Sequence, residues 1–165
     1  NITAECVGLL ASGASGIAAS GQEMTGWAAR RYGLRARFVD HSGLGGESRV
    51  SAAAIAGLLH AARDSGLRDL LRDVGMRDEA GKVIKGHPVR VLAKSGTLNF
   101  VSGLAGPIVP AHGRELIFAI FAADASRRAA LTEAERESPP GGADWTRRAR
   151  GLQARLISRW ALRFA

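Results

Sequence analysis

Three short β-prone segments follow one another in the second half of the chain, and they constrain the fold more than any other feature. They span residues 89–94, 104–109 and 116–122, and the last residue of the first segment is Lys94. The last two are separated by Pro110-Ala111-His112-Gly113, a composition typical of a hairpin loop. Consecutive strands joined by short connections usually pair, so the sequence predicts three neighbouring antiparallel strands.

Helical patterns lie on both sides of these strands. Apolar residues recur at helical spacing over 2–10, 23–32 and 52–64, and a shorter helix is predicted over 67–74. Gly33 is a predicted helix stop and Ser51 a predicted N-cap. The lone Cys6 lies among apolar residues of the first pattern and is predicted to be a small core residue.

A last helix is predicted to begin near Asp144, after a Pro-Pro-Gly-Gly break. Its apolar stripe consists of Trp145, Ala149, Leu152, Leu156, Trp160 and Phe164. Such a stripe opposite arginines is also found in helices that lie on membranes, but packing on a sheet is the favoured interpretation. The predicted fold class is therefore α/β in layers, an antiparallel sheet flanked by helices, within one domain of 165 residues.

Charge and composition exclude some classes of function. The net charge of +8 is compatible with a nucleic-acid surface, but the arginines are spread over several segments, so no nucleic-acid partner is expected. No window of eighteen residues is apolar and free of charge, which argues against a membrane-spanning helix. The four histidines show no metal-ligand spacing, so a zinc site is not expected.

The segment Ala93-Lys94-Ser95-Gly96-Thr97 combines a cation, two hydroxyls and a glycine at a predicted strand end. Alternate side chains of an extended segment share a face, so Ser95 and Thr97 are expected to point the same way. Gly96 allows a ligand to approach the backbone, and Lys94 supplies positive potential. This combination indicates a binding site for a carboxylate.

The same segment resembles the Lys-Thr/Ser-Gly motif of the penicillin-recognising serine enzymes. Two further stretches are similar to the family of D-alanyl-D-alanine carboxypeptidases and endopeptidases, peptidase family S13, that includes penicillin-binding proteins of the four type. The first is Asp40-His41-Ser42-Gly43-Leu44, which resembles an Asp-Gly-Ser-Gly-Leu signature. The second is Asn1-Ile2-Thr3-Ala4-Glu5. It resembles the family's Asn-Leu-x-Ala-Glu helix start, whose Asn is the last residue of a Ser-x-Asn motif. The resemblance covers essentially the whole chain.

This resemblance implies the C-terminal part of a β-lactamase/DD-peptidase-like domain. It implies a periplasmic serine carboxypeptidase, with or without endopeptidase activity, that cleaves peptidoglycan stem peptides through an acyl-enzyme and is inhibited by β-lactam antibiotics. No metal or organic cofactor is implied. The Ser-x-x-Lys motif with the nucleophile is expected before residue 1, in a missing N-terminal part of the same protein. The chain alone is therefore expected to be inactive.

The resemblance also implies a role for each site residue. Lys94 would attract the terminal carboxylate and hold the proton-transfer network, while the Ser95 and Thr97 hydroxyls would bond that carboxylate and Gly96 would let the substrate approach. The Thr97 N–H would form half of the oxyanion hole. Asn1 would contact the substrate amide. Gly43 and Leu44 would line the pocket for the penultimate residue.

Some alternatives stay open at the level of sequence. A β-lactamase or an esterase on the same fold is the competing enzyme, and a basic anion-binding or nucleic-acid-binding module is the competing non-enzyme. His41 is either a general base or, as is favoured, a solvated loop residue. Asp40 is predicted to brace its loop by accepting bonds from backbone N–H groups.

Overall fold

The computed structural model describes residues 2–78 and 81–164. The chain divides into two compact units, one ending at Ala62 and the other beginning at Arg63. Helices and antiparallel strands make up both units, which confirms the predicted α/β class.

The first unit holds a long loop between two short paired strands. Its elements are α1 (Ile2–Ser12), α2 (Ile17–Tyr32), β1 (Ala36–Arg37), β2 (Arg49–Val50) and α3 (Ala52–Ala61). Glycines let the helices approach the loop closely, because a Cβ on Gly21 would lie 2.6 Å from the Val39 carbonyl carbon. α2 begins at Ile17, six residues before the start of the helical pattern predicted over 23–32.

The predicted ends of two helices in this unit are confirmed. Gly33 follows α2 with φ +67°, and its N–H donates to the Ala29 carbonyl at 2.9 Å. The Ser51 hydroxyl accepts a hydrogen bond from the Ala54 N–H at 3.0 Å, as an N-cap does. Local signals therefore define these two boundaries.

α1 leaves most of its apolar residues exposed. Ile2 and Leu10 are 82% and 84% exposed, and Cys6 is exposed as well, so its predicted core position is wrong. The reason is that α1 buries a narrow strip around Gly8 rather than a broad apolar face. Among the described residues no single helix has both the length and the apolar composition to cross a membrane, although the bent pair α1 and α2 passes that test together.

The second unit is built on a four-stranded antiparallel sheet in the order β3-β4-β5-β6. Its elements are β3 (Arg72–Asp73), β4 (Arg90–Leu98), β5 (Val101–Val109), β6 (Leu116–Ala123), α4 (Ala125–Ala129) and α5 (Gly142–Phe164), with 3₁₀ turns at 67–70 and 134–136. The three predicted antiparallel strands are confirmed as β4, β5 and β6. The helix predicted over 67–74 is instead a 3₁₀ turn followed by β3.

β4 does not end at Lys94 as predicted, but continues to Leu98. Its pairing with β5 persists through the polar segment, with Lys94 opposite Ala105 and Leu98 opposite Val101. The turn lies at Asn99-Phe100, where Phe100 takes a φ of +61°. The Lys-Ser-Gly-Thr segment is therefore held in a ladder of backbone hydrogen bonds rather than in a loop.

α5 packs on the sheet, which confirms the favoured interpretation of this helix, but the buried row differs from the predicted stripe. The buried row follows an i, i+4 spacing: Ala149, Gln153, Ile157 and Ala161. Ile157 and Ala161 belong to the same core as Val91, Ile108 and Phe118. Of the predicted stripe, Trp160 and Leu156 pack against this core, whereas Phe164 is 54% exposed.

The close crossing of β4 and β5 predicts the effect of one glycine substitution. A Cβ on Gly106 would lie 1.9 Å from the Leu92 carbonyl oxygen, a backbone atom that cannot turn aside. We expect Gly106→Ala to destabilise the protein by about 1–3 kcal/mol, as overpacking does. Denaturant unfolding of the intact protein measures the change.

Gly151→Ala is the matched control, because Gly151 lies inside α5 and its new Cβ would make only an ordinary contact of 3.6 Å with Arg155. That substitution should be neutral or stabilising by up to about 1 kcal/mol through helix propensity. Equal stability of the two variants would contradict the close crossing.

Candidate functional site

The first half of β4 is paired with a strand on each side, whereas the second half is paired only with β5. β3 pairs with β4 at Leu92 and Ala93, while β5 pairs with it as far as Leu98. In the described part of the chain, no strand continues the sheet beside residues 94–98 on the side of β3. This stretch of β4 is an open sheet edge.

One hydrogen bond shows which residues of β4 direct their backbone groups toward that edge. The Val74 N–H donates to the Val91 carbonyl at 2.8 Å, so the backbone of Val91 faces the β3 side. Backbone direction alternates along a strand, so Ser95 and Thr97 also turn their N–H and C=O groups to this side. Lys94 and Gly96 direct theirs toward β5. The Thr97 N–H therefore points to the open edge.

The side chains of the segment divide between the two faces of the sheet. Ser95 and Thr97 share a face, as predicted, and lie opposite Leu104 and Ser102 of β5. Lys94 belongs to the other face, but its Nζ bends back to the Ser95 carbonyl oxygen at the edge. All four residues from Lys94 to Thr97 are exposed. A cation and outward-facing backbone groups thus meet along one accessible edge, and the two hydroxyls lie on the sheet face beside it.

The face that carries Thr97 is the face on which α5 packs. The Arg150 Nη2 of α5 lies 3.4 Å from the Thr97 Oγ1, a long hydrogen bond. One helical turn further on, the Gln153 Nε2 donates to the Ser102 Oγ at 3.1 Å. The apolar stripe does not indicate these two polar contacts, although a glutamine in an otherwise apolar i, i+4 row is a signal that could have found the second.

In the first unit, the carboxylate of Asp40 organises the glycine loop. It accepts hydrogen bonds from the Ser42 hydroxyl at 2.6 Å and from the N–H groups of Gly43, Leu44 and Gly45, the last at 2.7 Å. The predicted bracing role of Asp40 is therefore confirmed. Burial by itself raises the pKa of this carboxyl, but the Ser42 hydroxyl and the three backbone donors together lower the pKa below its ordinary value of 3.8.

The other predicted residues of this unit lie at the loop tip or outside the described residues. Gly43 takes a φ of +74°, which glycine adopts without strain, and both Gly43 and Leu44 are exposed. Their predicted place in a substrate pocket stays a prediction. Asn1 lies outside the described residues, and its role stays a prediction as well.

His41 is not the solvated loop residue that the sequence favours. Its Nε2 lies 2.8 Å from the hydroxyl of the fully buried Ser20, which also accepts from the Ser12 hydroxyl at 2.9 Å. The ring occupies the space that a side chain at residue 8 would need, because a Cβ on Gly8 would lie 2.3 Å from it. A glycine in α1 therefore admits the histidine. Within the described residues, no cluster of His, Cys, Asp and Glu is suited to holding a metal.

Comparison with protein families bears on the two motif segments together. A family model described as D-Ala-D-Ala carboxypeptidase 3 (S13) matches residues 1–138, which include the Asp40 loop and the whole of β4, β5 and β6. The chain belongs to this S13 family. No curated protein matches the chain.

Membership of the S13 family gives the chain a general activity class. The family points to a hydrolase of the D-Ala-D-Ala carboxypeptidase type, with peptidoglycan peptides as substrates. The Lys-Ser-Gly-Thr segment on β4 and the Asp40 loop both lie inside the matched region. They are therefore the first places to seek the chemistry of the S13 family in this chain.

The lowered pKa of Asp40 predicts how the stability of the glycine loop depends on pH. A carboxyl whose pKa is lower in the folded than in the unfolded state stabilises the fold above the unfolded-state pKa and loses this effect as pH falls through the folded-state pKa. The contribution is therefore complete above the ordinary value of 3.8 and disappears below it. We expect Asp40→Asn to cost about 1–3 kcal/mol at neutral pH, because three N–H groups and a hydroxyl lose a charged acceptor.

Denaturant unfolding of the intact protein and the Asp40→Asn variant, from neutral pH to below the ordinary Asp pKa, measures this effect. The two curves of stability against pH should converge at the acidic end. A constant difference at every pH would show that the charge of Asp40 does not stabilise the loop.

Proposed function

We propose that this chain supplies the substrate-binding wall of a serine-type D-Ala-D-Ala carboxypeptidase that works through an acyl-enzyme. The nucleophilic serine attacks the carbonyl carbon between the two D-alanines, the peptide C–N bond breaks, and the last D-alanine leaves with a proton. Water then hydrolyses the ester. The open edge of β4 beside Lys94 to Thr97 is the observation on which this proposal depends.

An open strand edge suits a peptide substrate because it offers backbone hydrogen bonds to an extended chain. The outward N–H and C=O groups of Ser95 and Thr97 are two residues apart, as in a sheet that accepts another strand. The Thr97 N–H can donate to the carbonyl oxygen of the scissile bond and to the negative charge that this oxygen acquires in the tetrahedral intermediate. Apart from its chain neighbours, no atom of the described residues lies within 4 Å of the position that a Gly96 Cβ would take, which leaves space there for the peptide.

The side chains beside this edge match the free carboxylate that ends a D-Ala-D-Ala peptide. Lys94 supplies a positive charge, and the hydroxyls of Ser95 and Thr97 can each donate one hydrogen bond. Because the Lys94 Nζ lies at the Ser95 carbonyl, its charge is positioned at the open edge of β4. Lys94 can also serve the proton-transfer network around the nucleophile.

The remaining roles rest on the family resemblance. Asn1 would hold the substrate amide, and Gly43 and Leu44 would line the pocket for the penultimate residue. None of the 165 residues belongs to a Ser-x-x-Lys sequence, so we assign the nucleophile to another segment of the same protein. The enzyme would act in the periplasm and would be acylated by β-lactams.

Lys94 provides the most direct test of this site. We expect Lys94→Ala in the intact enzyme to slow acylation by a fluorescent penicillin by at least about tenfold, the loss typical of a charged hydrogen bond. The rate of covalent labelling, followed on denaturing gels, gives the measurement. Lys82→Ala is a matched control, because Lys82 is an exposed lysine of the same unit that lies outside β4.

Unchanged labelling of Lys94→Ala would remove this residue from the site. The isolated 165-residue chain should form no adduct with the penicillin, because it contains no Ser-x-x-Lys nucleophile. Labelling of a serine in the isolated chain would contradict the proposed position of the nucleophile.

The Ser95 and Thr97 hydroxyls make a second prediction possible. The double substitution Ser95→Val and Thr97→Val removes both donors and introduces side chains that a strand accepts. Activity on a peptide with a free terminal carboxylate should fall about tenfold or more, whereas activity on the amidated peptide should change little. The ratio of kcat/KM for the two peptides is the measurement, with circular dichroism as the check on folding. An equal loss on both peptides would show that these hydroxyls do not recognise the carboxylate.

A further inference from the structure

We propose that Arg150 of α5 is a specificity-determining residue that binds the terminal carboxylate of the substrate together with the Thr97 hydroxyl. The inference rests on the proposed carboxypeptidase function and adds a residue to it. Neither the Lys-Ser-Gly-Thr motif nor the apolar stripe of α5 points to Arg150. The contact between α5 and β4 is the observation that does.

The direction of one hydrogen bond leaves the Thr97 hydroxyl ready for a carboxylate. Arg150 has donors only, so at 3.4 Å its Nη2 donates and the Thr97 Oγ1 accepts. The hydroxyl hydrogen of Thr97 is then free to point at another acceptor. A carboxylate with one oxygen on this hydrogen and the other on the guanidinium satisfies both groups, and Arg is the side chain best suited to such two-point recognition.

The position of Arg150 is set by a buried polar contact one turn along the helix. Gln153 is only 4% exposed, and its Nε2 donates to the Ser102 carbonyl and hydroxyl at 3.3 and 3.1 Å. Ser102 lies directly opposite Thr97 in the β4–β5 pair. Residues three apart in a helix share a face, so this anchor brings Arg150 over Thr97.

The charge of Arg150 is not neutralised by a neighbour in the described part of the chain. Arg147, on the preceding turn, forms a salt bridge with Asp144, but the salt bridges among residues 2–78 and 81–164 do not include Arg150. Its contact with Thr97 is to a neutral oxygen. An exposed guanidinium that has no anionic partner among the described residues, and that lies beside the proposed carboxylate donors, is available to a negatively charged ligand.

The test compares substrates with and without the negative charge in the intact enzyme. We would measure kcat/KM for a peptide ending in D-Ala-D-Ala and for its C-terminal amide, and the acylation rates by a penicillin and by its methyl ester. The variants are Arg150→Gln, which removes the charge, and Arg150→Lys, which keeps the charge but loses the planar guanidinium that can bind a carboxylate at two points. Arg148→Gln is the matched control, since Arg148 lies on the same turn of α5, two residues away and therefore on a different side of the helix.

We expect Arg150→Gln to lower kcat/KM about five- to fiftyfold for the carboxylate substrates and less than about twofold for the neutral ones. The kcat/KM of Arg150→Lys for the carboxylate substrates should lie between the values of Arg150→Gln and of the unchanged enzyme, and every value of Arg148→Gln should stay within about twofold of the unchanged enzyme.

An unchanged ratio of kcat/KM for charged and neutral substrates in Arg150→Gln overturns the role of Arg150. If that variant keeps the ratio while the Ser95 and Thr97 substitutions abolish it, the proposed function stands without Arg150. If the unsubstituted enzyme cleaves no D-Ala-D-Ala peptide, the proposed function fails and Arg150 loses its role with it.

Discussion

β4 pairs with β5 along its length but with β3 only over its first half, and the rest of the candidate site depends on this unequal pairing. Pairing with β5 keeps the polar segment straight and sets the alternation of its backbone groups. β3 begins only at Arg72, after the 3₁₀ turn at 67–70, and this leaves the outward groups of Ser95 and Thr97 without a strand partner in the described chain. An unpaired strand edge usually promotes pairing with other chains. Here the unpaired stretch of β4 is limited to residues 94–98. A site that must accept a peptide backbone makes use of the same feature.

The glycine loop of the first unit depends on a different kind of constraint, the convergence of donors on carboxylates. Asp40 gathers donors from its own loop, while the Glu5 Oε1 of α1 accepts from the N–H groups of His41 and Ser42 at 3.1 and 2.9 Å. Each accepted bond offsets the desolvation of a charge that burial alone would disfavour. The loop therefore needs little apolar core of its own. Its order depends instead on the hydrogen bonds that these two side chains accept.

Much of this arrangement could be predicted from the sequence, because its signals are local. The β-prone segments and the hairpin composition predict the antiparallel sheet, Gly33 and Ser51 mark their helix boundaries, and Asp40 before Ser-Gly indicates a braced loop. A Lys-Ser-Gly triplet alone is common by chance, so the segment could be singled out only together with its place at a predicted strand end and the two further motif stretches. Its resemblance to a known motif then supplied the family.

The failures share a different cause, since each depends on contacts between distant parts of the chain. The end of β4 was misplaced because polar residues resemble a loop until β5 is known to pair with them. The environment of His41 is set by the absence of a side chain at Gly8, which lies 33 positions earlier and carries no mark of that task. The buried row of α5 shifted because Gln153 finds a buried partner in Ser102, and polarity alone assigns a glutamine to the surface.

Thr97 shows why such contacts matter for interpreting a motif. Its N–H lies on the open edge, where the peptide backbone is expected, whereas its hydroxyl lies on the face of α5 beside Arg150. The two groups therefore belong to different parts of the site, and substitution separates them, because Val removes the hydroxyl and keeps the N–H. A β-branched residue at this position also suits the strand that aligns the N–H. Threonine thus combines three separate contributions that the motif, as a string of letters, represents as one.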